Sequence, residues 1–251
     1  MADQFDISGK RVLITGGAGG IGAGLVAGFL AAGTKVLVSV RDSSQIDIVM
    51  QTHNNEALSV LVADLNEPSS ITKLVESARK SLGGIDVLIS AHGNVEPGPA
   101  VEMSDESFAH QLQLNLTSVF QLARAVAPEM IERRSGKIIN IASMLSFQGG
   151  LRASGYAAAK GGVAQLTKAL ANEWSPNGVN VNALAPGYIK TKLNRHIWSD
   201  PVRHQQVLDR LPSGRWGVPE DLVGPALFLA SSASDYIHGV ILPVDGGWLS
   251  R

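Results

Sequence analysis

Tyr156 and Lys160 stand four residues apart in the segment Tyr156-Ala157-Ala158-Ala159-Lys160. On a helix, that spacing places both side chains on one face, one turn apart. A free phenol has a pKa of about 10 and is a poor base near neutral pH. A neighbouring ammonium favours the phenolate and draws that value down. The pair therefore suits proton transfer to and from an oxygen, as in carbonyl reduction. Ser143 follows the apolar run Lys137–Ala142 (KIINIA) and offers a hydroxyl that could orient the substrate oxygen. Tyrosine and lysine at this spacing also occur by chance, and an ordinary contact on an amphipathic helix is the plain alternative.

A second constellation is suited to phosphate. The run Thr15-Gly16-Gly17-Ala18-Gly19-Gly20-Ile21-Gly22 follows a strand-like segment and opens a helical one. Glycines let the backbone turn tightly and approach a pyrophosphate, and the free N–H groups of the helix start stabilise the anion. Gly16, Gly20, Ile21 and Gly22 are the expected contacts of a nicotinamide dinucleotide. The second strand ends Val38-Ser39-Val40-Arg41-Asp42. A carboxylate at such a strand end accepts hydrogen bonds from the adenosine ribose. Here Val40 takes that place and Arg41 follows, a guanidinium able to pair with a 2′-phosphate. NADP(H) is expected over NAD(H), unless a shift of one residue brings Asp42 to the ribose instead. Asp64 and Leu65 follow the third strand, where an adenine edge would be read.

Composition narrows the remaining classes. The chain has 251 residues, 45% of them hydrophobic, with 21 basic and 22 acidic side chains and a formal net charge of -1. That balance gives no reason to expect a nucleic-acid or membrane-surface partner. With no cysteine, thiol nucleophiles, zinc-thiolate sites and disulfides are excluded, and a cytoplasmic setting is expected. The start, MADQFDISGKRVLITGG, lacks the basic and apolar regions of a signal peptide. No apolar run reaches the ~18 residues a membrane span needs. No metal site is expected.

The elements that must position these residues follow from the apolar pattern. Strands are predicted at Arg11–Thr15, Lys35–Val40, Leu58–Ala63, Ile85–Ser90, Lys137–Ala142, Val179–Ala185 and Val240–Val244. Helices are predicted at Gly22–Ala32, Ser69–Ser81, Tyr156–Trp174 and Pro219–Leu229, with one long helical pattern over Phe108–Arg133, bent at Pro128 if anywhere. Near-continuous apolar strands alternating with helices indicate a parallel sheet covered on both faces. The expected architecture is α/β, a single doubly wound Rossmann-type domain over residues 1–251. The stretch from about 187 to 215 is long, polar and weakly periodic. It reads as a substrate lid, with a disordered insertion as the alternative.

Taken together, the motifs resemble the short-chain dehydrogenase/reductase family across essentially the whole chain. TGGAGGIG at 15–22 resembles its TGxxxGxG cofactor loop, and Ser143 with YAAAK at 156–160 its serine and YxxxK. Asn115 in LNLTS resembles its proton-relay asparagine, and Pro186-Gly187 through Thr191 its PGxxxT segment. The resemblance implies that Tyr156 is the acid/base and Ser143 binds the reacting oxygen. It implies that Lys160 holds the nicotinamide ribose and tunes Tyr156, while Asn115 holds a water that relays protons. Pro186, Gly187, Ile189 and Thr191 would contact the nicotinamide half. It also implies a homotetramer built on Phe108–Arg133, Tyr156–Trp174 and the C-terminal strand, and leaving the apolar tail ILPVDGGWLSR in water would be costly. One departure stands out. Where the family has NNAG, this chain has Ser90-Ala91-His92-Gly93. Gly93 still permits close approach to the cofactor, but the lost asparagines put local hydrogen bonds in doubt. His92 could face the site and is not counted as catalytic.

The segment at 138–150 and the C-terminal tail resemble a sugar-acid group within that family, which implies a six-carbon keto sugar acid of the 2-keto-3-deoxy-gluconate type. Such a substrate needs a cation for its carboxylate and polar groups for its hydroxyls. Gln148 and Arg152 lie between Ser143 and Tyr156, and Arg152 is the expected carboxylate partner, with a surface or subunit contact as its alternative. Lys192, Arg195 and His196 lie in the lid. A 3-oxoacyl-carrier-protein or general ketone reductase is the alternative enzyme, and a non-catalytic dinucleotide sensor the alternative of another class. A sensor would have no need of Ser143, Tyr156 and Lys160.

Overall fold

Seven short apolar runs become strands: β1 (Arg11–Thr15), β2 (Lys35–Val40), β3 (Leu58–Val62), β4 (Val87–Ser90), β5 (Gly136–Ile141), β6 (Val179–Pro186) and β7 (Ile241–Val244). The structure is a computed structural model and describes residues 3–251. The strands form one parallel sheet in the order β3-β2-β1-β4-β5-β6-β7. Strand order reverses between β1 and β4, and doubly wound sheets bind ligands beyond the carboxyl ends of their strands at such a point.

Helices cover both faces. They are α1 (Gly20–Ala31), α2 (Ser44–His53), α3 (Pro68–Leu82), α4 (Asp105–Leu112), α5 (Ser118–Glu132), α6 (Ser154–Trp174), α7 (Arg195–Trp198), α8 (Pro201–Arg210) and α9 (Val223–Ala230). On one face Leu25, Phe29 and Leu229 pack against Val12, Ile14, Val36 and Val38. On the other, Leu74, Leu122, Val126 and Leu170 pack against Leu13, Leu37, Leu88 and Ile138. Alternate residues of β1 thus serve opposite cores, which explains why the strands read as continuous apolar runs.

The structure corrects one expected element and fills in two stretches that periodicity left undefined. The long pattern at 108–133 is interrupted at Gln113–Thr117, a wider π-type turn between α4 and α5, and Pro128 lies inside α5. Helix α2 has no counterpart among the predicted elements, because its sequence SQIDIVMQTH buries a single residue, Val49. The 187–215 stretch is not structureless. It carries α7 and α8, seated on Met144, Trp216 and Trp248 through Ile197, Trp198, Val207 and Leu211. Aromatic anchors at irregular spacing hold it down, and hydrophobic period gives no sign of them.

Candidate functional site

A cleft of about 510 Å³ opens at the carboxyl ends of the strands. Its phosphate end is the glycine turn. Gly16 has φ +74°, and a Cβ there would stand 2.7 Å from the His92 Cα. Gly20, at φ +55°, opens α1, whose first turn carries no acidic side chain. Side chains would fill this cradle and carboxylates would repel an anion, so the residues present fit a dinucleotide pyrophosphate. Gly16, Gly20, Ile21, Gly22, Arg41, Asp64, Leu65, Gly93, Tyr156, Lys160 and Thr191 all line the cleft.

Pro186, Gly187 and Ile189 do not line it. Pro186 ends β6, Gly187 N–H donates to the Val244 carbonyl at 3.1 Å, and Ile189 is buried. The Ile189 carbonyl accepts from Asn194 Nδ2 at 2.8 Å. Asn194 completes that turn, its Oδ1 accepting from the Thr191 N–H (3.1 Å) and hydroxyl (3.2 Å).

Beyond the end of β2, Arg41 and Gln45 face the cleft and Asp42 does not. The Asp42 Oδ1 accepts from Ser44 N–H at 2.8 Å at the start of α2. Hydrogen bonds from Ser44 hold its carboxyl below the usual range. Gln45 Oε1 accepts from the Arg41 N–H at 3.1 Å and fixes the turn.

At the other end, α6 brings Tyr156 and Lys160 beneath the turn that begins with Ser143. The Ser143 Oγ accepts from Leu145 N–H at 3.1 Å, and the Ser146 hydroxyl donates to the Lys160 carbonyl at 2.6 Å. These bonds lock the serine turn to the helix. The Ser143 hydroxyl lies beside the Tyr156 phenol, close enough to favour its ionised form. Lys160 is buried and donates to the Ile141 carbonyl at 2.6 Å, with Nζ 5.6 Å from the Tyr156 ring centroid. Burial pulls its ammonium down to about 8. The expected lowering of the phenol by Lys160 is corrected. Burial pushes Tyr156 up to about 12 against the opposing effect of the Ser143 hydroxyl. The ammonium lies over the ring and is turned toward a carbonyl, so desolvation prevails.

Asn115 sits buried in the π-type turn, directly behind the cleft-lining Gly93 and Asn94. Its Nδ2 donates to the carbonyls of Asn94 (2.9 Å) and Gln111 (3.0 Å), and its Oδ1 accepts from Asn94 N–H (3.1 Å). Both amide hydrogens are taken, so the side chain braces the Gly93-Asn94 backbone. A Cβ on Gly93 would lie 2.7 Å from Asn115 Oδ1.

His92 answers for the missing asparagines. Ser118 donates to the Leu114 carbonyl at 2.6 Å, which leaves its oxygen to accept from His92 Nε2–H at 2.6 Å. Nδ1 then accepts from the Thr15 hydroxyl, also at 2.6 Å. This network assigns a neutral imidazole braced between β1 and α5. Burial, then the Lys160 charge, pulls His92 down to about 3. The unfolded imidazole titrates near 6.5, so its stabilising contribution is complete above that pH and is lost as pH falls toward 3. At pH 4.5 the loss is roughly 2–3 kcal/mol. Urea midpoints at pH 7 and 4.5 should therefore fall further apart in the natural chain than in His92→Gln. Equal spacing in the two proteins would contradict the neutral brace.

The substrate side is less as expected. Arg152 is exposed with φ +58°, and only its carbonyl is engaged, by Gly98 N–H at 3.0 Å. Gln148 is instead met by Arg210 from α8, Nη2 to Oε1 at 3.4 Å. Lys192 lines the cleft, Arg195 lies over Trp198, and His196 is exposed. Gln45, Asn94 and His110 also line the cleft and are additions that the sequence alone does not point to; none stands in a motif, and tertiary contact alone brings them there.

The family pattern described as enoyl-(acyl carrier protein) reductase matches residues 16–249. The chain is 43% identical to the 2-dehydro-3-deoxy-D-gluconate 5-dehydrogenase of Dickeya dadantii (strain 3937), over 99% of each chain. It is 36% identical to the 5-keto-D-gluconate 5-reductase of Escherichia coli (strain K12), again over 99% of each. Among solved structures it superposes on a gluconate 5-dehydrogenase from Burkholderia cenocepacia J2315 in complex with NADP and tartrate. That match has a TM-score of 0.94 and 36% identity, and covers 99% of this chain and 98% of the other.

Proposed function

Because the chain belongs to the short-chain dehydrogenase/reductase family, we propose that it moves a hydride between NADP(H) and a keto or hydroxy group of a six-carbon sugar acid of the 2-keto-3-deoxy-gluconate or 5-keto-gluconate type. The observation that carries this reading is that Tyr156, with Ser143 beside it, and Lys160 line the same cleft as the glycine turn. The bound nicotinamide supplies or accepts the hydride. Tyr156 gives its phenolic proton to the carbonyl oxygen in reduction and takes a proton from the alcohol in oxidation. Ser143 donates a hydrogen bond to that oxygen. Lys160 holds the ribose and adds positive charge beside the phenol, while Asn115 fixes the Gly93-Asn94 backbone against the cofactor. Residues 187–215 close over the substrate. Initial rates with NADPH and NADH across keto sugar acids, simple ketones and acyl thioesters test the reading. Turnover confined to thioesters, or none with any substrate, would reject it.

The assembly is proposed as a homotetramer, as in the family. The expected reason has changed, because Ile241 and Trp248 of the tail are buried within their own chain. The surface that remains to be covered includes Val101, Phe147, Leu151 and Tyr236, all exposed. Light scattering at micromolar concentration should give about four times the chain mass of 26.4 kDa; a monomer would reject the assembly. Among the described residues, no helix is long and apolar enough to cross a membrane.

A further inference from the structure

A keto sugar acid carries a carboxylate that the hydride-transfer machinery does not touch. We propose that Arg210, at the end of α8, is the anchor for that carboxylate, with Gln148 beside it; this rests on the sugar-acid reading above.

Three segments converge on Arg210. Its Nη2 reaches Gln148 Oε1 at 3.4 Å, in the loop that joins Ser143 to Tyr156. Its guanidinium carbon lies 4.1 Å over the ring of Trp248, in the C-terminal turn. Its charge, with that of Arg203, opposes the rise that burial imposes on the Tyr188 phenol, so Arg210 also stands near the segment after β6. Tyr188 in turn packs edge-on against Trp248, with centroids 4.8 Å apart. The arginine is thus held between the lid helix and the loop that carries the reacting-oxygen ligand.

It is also a cation without a counter-ion. Among the described residues no carboxylate lies within salt-bridge distance of it, whereas Arg215 pairs with Asp221 at 2.7 Å. The nearby acids are engaged elsewhere. Asp200 caps α8 through Val202 and Arg203 N–H, and Asp209 accepts from Gln205. Lys190 and Arg195 lie over Trp198. The buried Trp248 indole N–H has no acceptor among the described residues, so the ring beneath Arg210 offers a further unused donor.

Contact with the Trp248 ring restrains the guanidinium, whose forked N–H groups can bind a carboxylate through two bonds. Its present partner is a neutral amide at the outer limit of hydrogen bonding, which a carboxylate would readily replace. Residues 187–215 hold six Lys and Arg against two Asp, a local positive field that draws an anion toward the cleft. Arg152, the partner expected from the sequence, has no such setting.

The test compares 5-keto-D-gluconate with an uncharged keto sugar of the same length, such as 5-keto-D-fructose, using NADPH. Arg210→Met keeps apolar contact with Trp248, and Arg210→Lys keeps charge without the fork. Removing one charge-assisted hydrogen bond weakens binding by about 10–100-fold. The KM for the acid should rise by that factor in Arg210→Met, and the acid-to-neutral ratio of kcat/KM should fall at least tenfold. The fall should be smaller in Arg210→Lys. An unchanged ratio, or one that falls only in Arg152→Met, overturns the assignment while leaving the sugar-acid function intact. A natural enzyme that reduces acyl thioesters and neither sugar overturns both. Thermal midpoints of the variants within a few degrees of the natural chain confirm that the exposed substitution has not unfolded the lid.

Discussion

Tyr156→Phe is expected to give a folded protein that binds NADPH with unchanged affinity and turns over about 10²–10⁴-fold more slowly. The substitution removes one oxygen from a ring that keeps its packing under Lys160. It deletes the phenolic proton donor beside Ser143. With the phenol pushed up to about 12, Tyr156 is protonated throughout the neutral range, the state that reduction requires. The alkaline limit of reduction should therefore reflect Lys160, drawn down to about 8 by burial. Rates should decline as pH rises through that value, with the apparent pKa belonging to the coupled pair. Oxidation needs the phenolate, so with the phenol held at about 12 its rate should still be rising above that interval. Fluorescence titration with NADPH and steady-state rates in both directions separate binding from chemistry. Turnover of Tyr156→Phe within tenfold of the natural protein would remove Tyr156 from the proton-transfer step.

The second large effect concerns cofactor choice. NADPH should be preferred over NADH by tenfold or more in kcat/KM, and Arg41→Ala should abolish most of that preference. Arg41 faces the cleft, while Asp42 is turned away and held by Ser44. Charge-assisted hydrogen bonds to a phosphate contribute roughly 1.5–3 kcal/mol, about 10–100-fold in affinity. NADH binding should hardly respond to Arg41→Ala, since it has no 2′-phosphate to lose a partner. Asp42→Ala should leave the preference in place and slightly weaken α2, whose start it caps. Kinetics of the three proteins with both cofactors settle the matter. A natural enzyme that prefers NADH and loses that preference in Asp42→Ala would show that the ribose is held one residue further along the turn.

Spacing and hydrophobic period are enough to read the nucleotide half of this protein. Each strand is a local apolar run, and a glycine turn between strand and helix is a local instruction. The register at Arg41 and the Tyr156–Lys160 face are legible for the same reason, because each depends on residues within one turn of one another. Several features depend instead on partners far along the chain. His92 is bonded to Thr15 and Ser118, 77 and 26 residues away, so nothing local marks it as a structural brace. Asn115 turns to Asn94 because a π-type turn rotates it there, and no helical period predicts that turn. The phenol of Tyr156 rises rather than falls because the surrounding fold desolvates it, a quantity absent from a four-residue spacing. The lid is the clearest case. Its sequence is polar and weakly periodic, yet Trp198, Trp216 and Trp248 seat it, and that packing brings Arg210 from 62 residues away to Gln148. Motif residues carry their chemistry in the residue type; the residues that would recognise the substrate acquire theirs from long-range packing, which sets where a guanidinium stands and which carboxylates are left to meet it.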